Sequence, residues 1–348
     1  MPRVISVNPL EPDAAAIREA ASVLARGGLV AFPTETVYGL GARGLHGEDV
    51  ARIFVAKGRP KAHPIILHVD GAPMAELVSS QWPAAATKLS SVWPGPLTLV
   101  VPRAANVPNE VTGGLDTVGV RAPSHPVALA LIREIGEPLA APSANAHTHI
   151  SPTSAVHVIR SLGDKVDLVL DGGPCTHGIE STVVTVAEDP PRVLRPGALG
   201  LDRLRALVPN IVHEPAKNIA AGDDVARAAP GMAAKHYSPR AKVILAERGA
   251  AGVTIAMEHA RRGQNAAFLF WSGAAHDAMG KSAKDRESAP ELVRFVTMPA
   301  DSEAYARALY GAFYDLDAAR VDVIVVEMPP ADDEKWWAVV DRLERSAR

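Results

Sequence analysis

The hydrophobic positions of the chain fall into two regimes. Up to about residue 207, short apolar runs and amphipathic segments intermix without strict alternation; from Lys242 onward, strand-like runs alternate with helical ones. In the first regime, Asp13 precedes apolar residues at Ile17, Ala20, Ala21 and Leu24, which is helical spacing, and Gly27-Gly28 supplies the stop. Leu29–Phe32 predicts a short buried strand ended by Pro33, and Thr34–Gly41 a loop of polar side chains and permissive glycines. Glu48–Val55 predicts a helix whose apolar face is Val50, Ile53 and Phe54, with Lys57 and Arg59 just beyond its end. Ile65–Val69, Leu97–Val101, Val118–Ala122, Asp167–Asp171, Ser181–Val186 and Arg192–Leu194 read as strands. Two short helices are expected before Pro94, a longer one opens on proline at Pro126 and runs to Ile135, and Ser151–Ser154 looks like a further helix start. Several strands are joined by short turns, so a mixed sheet is expected rather than a purely parallel one.

In the second regime, Val243–Leu245, Ala266–Phe270, Val293–Val296 and Val321–Val326 are strand-like, with helical patterns over Val253–Arg262, Glu303–Leu316 and Asp333–Ser346. This predicts a small doubly wound domain with a parallel sheet. No Gly-x-Gly-x-x-Gly follows its first strand, so no dinucleotide is assigned to it. Between the regimes, an alanine-rich stretch, Ala220–Ala229, leads into Pro230-Gly-Met-Ala-Ala-Lys-His-Tyr-Ser-Pro239. The expected organisation is a first domain over residues 1–207, a linker over 208–240 and a second domain over 241–348. A linker of about 30 residues is far longer than an ordinary loop, and His236 and Tyr237 within it point to a functional segment.

Composition narrows the partners. The 348 residues fit two domains, and 47% hydrophobic with 22% charged residues is ordinary for a globular protein. A net charge of -3 exerts no global pull on nucleic acid, so any anion site must be made locally. The lone Cys175 cannot form an intramolecular disulfide or a cysteine zinc site, the N-terminus lacks a secretory pattern, and no apolar run approaches the ~18 residues of a membrane span. A cytoplasmic protein is expected.

The candidate chemistry is concentrated between Lys57 and Asn145. Lys57, Arg59 and Lys61 alternate along what reads as an extended segment, which would bring the first and third to one side and, with His63, onto one anion. A solvated basic turn is the commoner fate of such a cluster. Thr34, Thr36 and Tyr38 can read a small polar ligand or cap a turn. Arg121, inside an apolar strand, needs either a buried partner or a carboxylate ligand. Ser143, Asn145 and Ser151 offer neutral donors and acceptors, with helix capping as the alternative for Ser151. No nucleophilic triad surrounds Ser181, the histidines lack metal-ligand spacing, and the Walker glycine-lysine loop is absent. A triphosphate bound here must be neutralised by side chains.

Taken in order, several segments resemble the threonylcarbamoyl-AMP synthases in their long form. They are Phe32–Gly41, Lys57-Gly-Arg-Pro60, Pro94–Thr98, Val118–Pro123, Pro142-Ser-Ala-Asn145, Ser151-Pro-Thr153, Gly178–Val184, Leu194–Gly197, Pro230-Gly-Met232 and His236-Tyr-Ser-Pro239. The resemblance implies an α/β fold: a YrdC-like twisted mixed sheet with flanking helices, then a smaller Rossmann-like open parallel-sheet domain. It implies synthesis of threonylcarbamoyl-adenylate and pyrophosphate from L-threonine, bicarbonate or CO2, and ATP accompanied by Mg2+. The product would feed the threonylcarbamoyladenosine modification of tRNA through downstream transfer proteins, without stable nucleic-acid or membrane binding by this chain.

By the same resemblance, Lys57, Arg59, His63, Ala141, Ser143, Asn145, Ser151, Arg195 and Tyr237 hold ATP, with Lys57 and Arg59 as the catalytic cations and no resident metal. Thr36, His68, Thr117, Arg121 and Ser181 surround threonine, and His236 with Tyr237 gates the site. The chain departs from the family pattern in the run Ala146–Ile150, bulkier than a glycine-containing turn, in His63 where asparagine is common, and in Cys175 and His177. Two other readings remain: a related carbamoyltransferase, which would carry different neighbouring domains, and a non-catalytic RNA-binding module, which lacks interleaved aromatics here.

Overall fold

Asp13 starts the first helix as the spacing predicts. Its carboxylate accepts from the amides of Ala15 (2.7 Å) and Ala16 (3.2 Å), satisfying N–H groups that a helix start leaves unpaired. Helix Ala14–Ala25 then buries Ile17, Ala20, Ala21 and Leu24 against helix Pro126–Ile135 and the strand residues Val30, Phe32 and Leu168. The computed structural model describes residues 1–213, 237–282 and 292–348, which form two compact units. Residues 1–147 and 151–213 belong to the first, and residues 148–150, 237–282 and 292–348 to the second.

The first unit is built on ten strands: β1 (Arg3–Ser6), β2 (Val30–Phe32), β3 (Gly39–Arg43), β4 (Ile66–His68), β5 (Leu97–Pro102), β6 (Thr117–Arg121), β7 (Leu139–Ala140), β8 (Leu168–Asp171), β9 (Thr182–Thr185) and β10 (Arg192–Arg195). Their order is β1-β8-β2-β3-β7-β4-β6-β5-β9-β10. Pairing is parallel for β4 with β6 and β5 with β9, and antiparallel for β5 with β6 and β9 with β10, so the sheet is mixed as expected. This arrangement brings the C-terminal ends of β4 and β6 beside the N-terminal ends of β5 and β9.

Two local expectations are corrected, and one strand is added. Gly39–Arg43 is a strand, paired antiparallel with β2, where a loop was expected through Gly41. Its glycines serve close packing: a Cβ at Gly41 would come within 2.7 Å of the Phe32 ring. Helix Gly47–Lys57 includes Lys57 as its last residue, and Gly58 closes it at φ 61°, so Lys57, Arg59 and Lys61 do not alternate along an extended segment. Lys57 is buried while Lys61 is exposed. Arg3–Ser6 is an edge strand with no clear apolar pattern, which is why periodicity does not reveal it.

The second unit contains β11 (Lys242–Ala246), β12 (Ala266–Phe270), β13 (Val293–Thr297) and β14 (Val323–Glu327), all parallel, in the order β11-β14-β12-β13. At the end of β14, the buried Glu327 carboxylate accepts from the amides of Gly249 (3.0 Å), Trp271 (2.9 Å) and Ser272 (3.0 Å). It therefore ties together the chain segments that follow β11 and β12, at the strand ends where doubly wound sheets commonly bind ligands. Tyr237 is 1% exposed in this unit, stacked on Tyr310 at 6.0 Å with the Arg342 guanidinium 4.7 Å over its ring. Thr148 adopts a left-handed φ of 67° and its carbonyl accepts from the Ser238 amide at 3.0 Å.

Candidate active site

Gly58 turns the chain sharply after Lys57, so the next cation does not continue along the helix. The Arg59 amide donates to the Phe54 carbonyl at 3.0 Å and its guanidinium to the Pro64 carbonyl at 3.0 Å, which holds the turn against the helix. The Lys57 ammonium donates to the carbonyls of Ser143 and Asn145, and the His147 amide donates back to the Lys57 carbonyl at 2.8 Å. His63 lies edge-on to His147, with ring centroids 5.3 Å apart. Burial, and then the charge of Arg59, hold the Lys57 ammonium well below the usual lysine range.

The 142–145 loop is fixed by backbone pairing. Leu40 donates to Pro142 at 2.8 Å, Ala144 to Tyr38 at 2.8 Å, and Tyr38 to Pro152 at 2.8 Å, while Ala141 donates to Ile66 at 3.0 Å. The main chain at Tyr38 is thereby tied to the loop that carries Ser143 and Asn145. The Ser151 hydroxyl, expected either at a ligand or as a helix cap, donates to the Glu180 carboxylate at 2.6 Å. The following helix, Ala155–Leu162, takes Ser154 as its N-cap residue.

The second half of the site gathers at the sheet ends. Arg121, ending β6, donates from Nη1 to the Thr36 hydroxyl at 2.8 Å and from Nε to the Gly95 carbonyl at 3.3 Å, and its Nη2 lies 2.6 Å from Glu35 Oε1. Of the two alternatives for Arg121, the buried partner is present, as the ion pair with Glu35. Burial pushes the Glu35 carboxyl upward, but the Arg121 charge and hydrogen bond outweigh it and hold the group below the carboxylate range. His68 is paired in register with Arg121 across β4 and β6; burial, then Arg121, push its imidazole down to about 3 against the opposing pull of Glu35. Ser181 and Thr98 hydroxyls are 2.8 Å apart, and Arg195 Nη2 donates to the Ser181 carbonyl at 2.9 Å and hydroxyl at 3.2 Å.

Comparison with known proteins fits this geometry. Residues 22–197 match the Sua5/YciO/YrdC family model, described as telomere recombination, and residues 200–348 match the threonylcarbamoyl-AMP synthase C-terminal domain. The chain is 41% identical over 337 residues to the threonylcarbamoyl-AMP synthase of Pyrococcus abyssi, covering 95% of this chain and 94% of that protein. The chain belongs to the threonylcarbamoyl-AMP synthase family. The Bacillus subtilis threonylcarbamoyl-AMP synthase is 35% identical over 333 residues, covering 95% and 92% of the two chains. The crystal structure of P. abyssi Sua5 complexed with L-threonine superposes with a TM-score of 0.85 at 36% identity, covering 99% of this chain and 97% of that one.

Within this family frame, the expected site residues divide into groups. Lys57, Arg59, His63, Ser143 and Asn145 come together, as do Thr36, His68 and Arg121, while Ser181 and Arg195 form a third bonded set with Thr98. Thr117 begins β6 and Arg121 ends it, so the two Cα atoms stand roughly 13 Å apart at strand spacing. Thr117 pairs with Pro102 of β5. Tyr237 is a member of the second unit, and His236 lies outside the described residues. Sequence reasoning missed Glu35 and Glu180. For Glu35 a signal existed, because a cation buried in β6 calls for a counter-charge; for Glu180 there was none.

Proposed function

We propose that these residues carry out, in this chain, the synthesis of threonylcarbamoyl-AMP. In this reading Arg121 takes the threonine carboxylate, with Thr36, His68 and Ser181 around the rest of the amino acid. The threonine nitrogen takes up CO2 as a carbamate, whose oxygen attacks the α-phosphorus of ATP, and pyrophosphate leaves. Lys57 and Arg59 stabilise the charge that grows on the leaving group. Ala141, Ser143, Asn145, Ser151 and Arg195 position the nucleotide, so the protein's contribution is placement and electrostatics, and no covalent nucleophile is required.

Among the described residues, no group of three or more His, Cys, Asp or Glu side chains is gathered to hold a metal ion. Mg2+ would arrive with ATP, where it would supply charge neutralisation. Among the described residues no helix is long and apolar enough to cross a membrane. The labile adenylate would pass to separate proteins that transfer the threonylcarbamoyl group to tRNA.

The observation that carries the reading is the placement of three cations: Lys57 bridging the 142–145 loop, Arg59 in the adjoining turn, and Arg121 bonded to Thr36 and ion-paired with Glu35 at the sheet end. The test is pyrophosphate release from ATP by the purified protein. Release that requires both threonine and bicarbonate supports the assignment. Threonine-independent release would overturn it, and tight RNA binding without turnover would favour the binding-module reading.

A further inference from the structure

Glu35 and Arg121 place a carboxylate on the very cation that, in the reading above, receives the carboxylate of the substrate. Their side chains are 5% and 4% exposed and 2.6 Å apart. Of the five N–H donors of a guanidinium, two are hydrogen-bonded, to the Thr36 hydroxyl and the Gly95 carbonyl, while Nη2 faces Glu35 as an ion pair outside hydrogen-bond geometry, so donors remain for an incoming ligand. Glu35 is also anchored through its backbone: its carbonyl accepts from the His177 amide at 2.8 Å and the Thr176 hydroxyl at 3.3 Å. Its backbone is therefore held in place, and its buried carboxylate oxygens face Arg121 without a hydrogen bond of their own.

We propose that Glu35 is an internal counter-anion with which the threonine carboxylate must share Arg121, and that it thereby sets the affinity and carboxylate selectivity of the threonine site. The inference rests on the assignment of Arg121 to the threonine carboxylate. A buried cation without a partner is costly, so Glu35 compensates Arg121 before substrate binds. The same negative charge opposes a second carboxylate at the remaining donors. Glu35 acts through Arg121 and is a positioning residue, not a catalytic one.

The test compares L-threonine with L-threoninamide, which keeps the amine and hydroxyl but lacks the carboxylate charge, by calorimetric titration of the full chain without ATP. Glu35→Gln keeps the shape and removes the charge. It is expected to tighten threonine binding by about fivefold or more, the lower range of coupling between two ligands of one group, while threoninamide gains nothing. A purely structural role would move both ligands alike, and an unchanged or reversed preference would overturn the proposal. Glu35→Asp, with a retracted carboxylate, should give the same sign at smaller size and serves if the glutamine variant folds poorly. Arg121→Gln should abolish the preference for threonine over threoninamide. If it does not, the assignment of Arg121 itself fails, whatever the Glu35 variants show.

Discussion

The Lys57 ammonium donates to the Asn145 carbonyl, 88 residues further along the chain, and to the Ser143 carbonyl in the same loop. One buried cation thus ties the end of helix Gly47–Lys57 to the 142–145 loop. Because burial and Arg59 lower its proton affinity, the free protein holds this proton less firmly than an exposed lysine would. A triphosphate does the opposite and favours the charged form.

ATP binding is therefore expected to take up a proton at pH values above the lowered pKa of Lys57, and apparent ATP affinity should fall as pH rises. Calorimetry in buffers of different ionisation enthalpy measures this uptake directly. Lys57→Met should lose both the uptake and pyrophosphate release while still melting cooperatively. Proton-neutral binding by the unmodified protein would rule the mechanism out.

His68 makes a separate prediction about acid stability. Its folded-state pKa, pushed to about 3 by burial and then Arg121, lies below the usual histidine value of 6.5. The unfolded chain therefore binds the proton first, and stability from this group is complete above about pH 6.5 and lost as pH falls toward about 3. His68→Gln should flatten that acid limb in urea titrations between pH 7 and 4, by an amount on the order of a few kcal/mol at its lower end. An acid limb identical to that of the unmodified protein would mean His68 is charged or hydrated in the native state.

Gly197 bears on the threonine end of the site. A Cβ there would stand 2.3 Å from both the Ser181 carbonyl carbon and the Thr182 amide nitrogen, backbone atoms that no rotamer change can move aside. Gly197→Ala should displace Ser181 from Thr98 and Arg195, cost about 1 to 3 kcal/mol in denaturant unfolding, and raise KM for threonine several-fold. Unchanged KM with lowered stability would separate Ser181 from threonine binding.

What the sequence made legible follows from the physics of each signal. Helix Pro126–Ile135 and the parallel strands of the second unit carry complete periodic patterns, and both form where those patterns lie. The Lys57-x-Arg59 and Ser143-x-Asn145 signatures were visible as residue types, but their geometry was not, because the left-handed turn at Gly58 replaces the extended path that alternation suggested. Glu180 gave no pattern at all, since its partner, Ser151, lies 29 residues away and only the fold brings them together.

Thr148 is the clearest case in which a departure from the family pattern has a backbone cost. It occupies a left-handed φ of 67°, where a β-branched residue is strained and where glycine or asparagine is at ease. Its carbonyl accepts from Ser238, so the conformation is fixed by pairing within the second unit and is not relieved by local rotation. Thr148→Asn should retain that backbone bond and relieve the strain, stabilising the unit by up to about 1 kcal/mol, offset less than Thr148→Gly, which also loosens the unfolded chain. Thermal unfolding of the three proteins checks the order: asparagine highest, glycine next, threonine lowest. A destabilised asparagine variant would show that the Thr148 side chain supplies contacts worth more than the strain it carries.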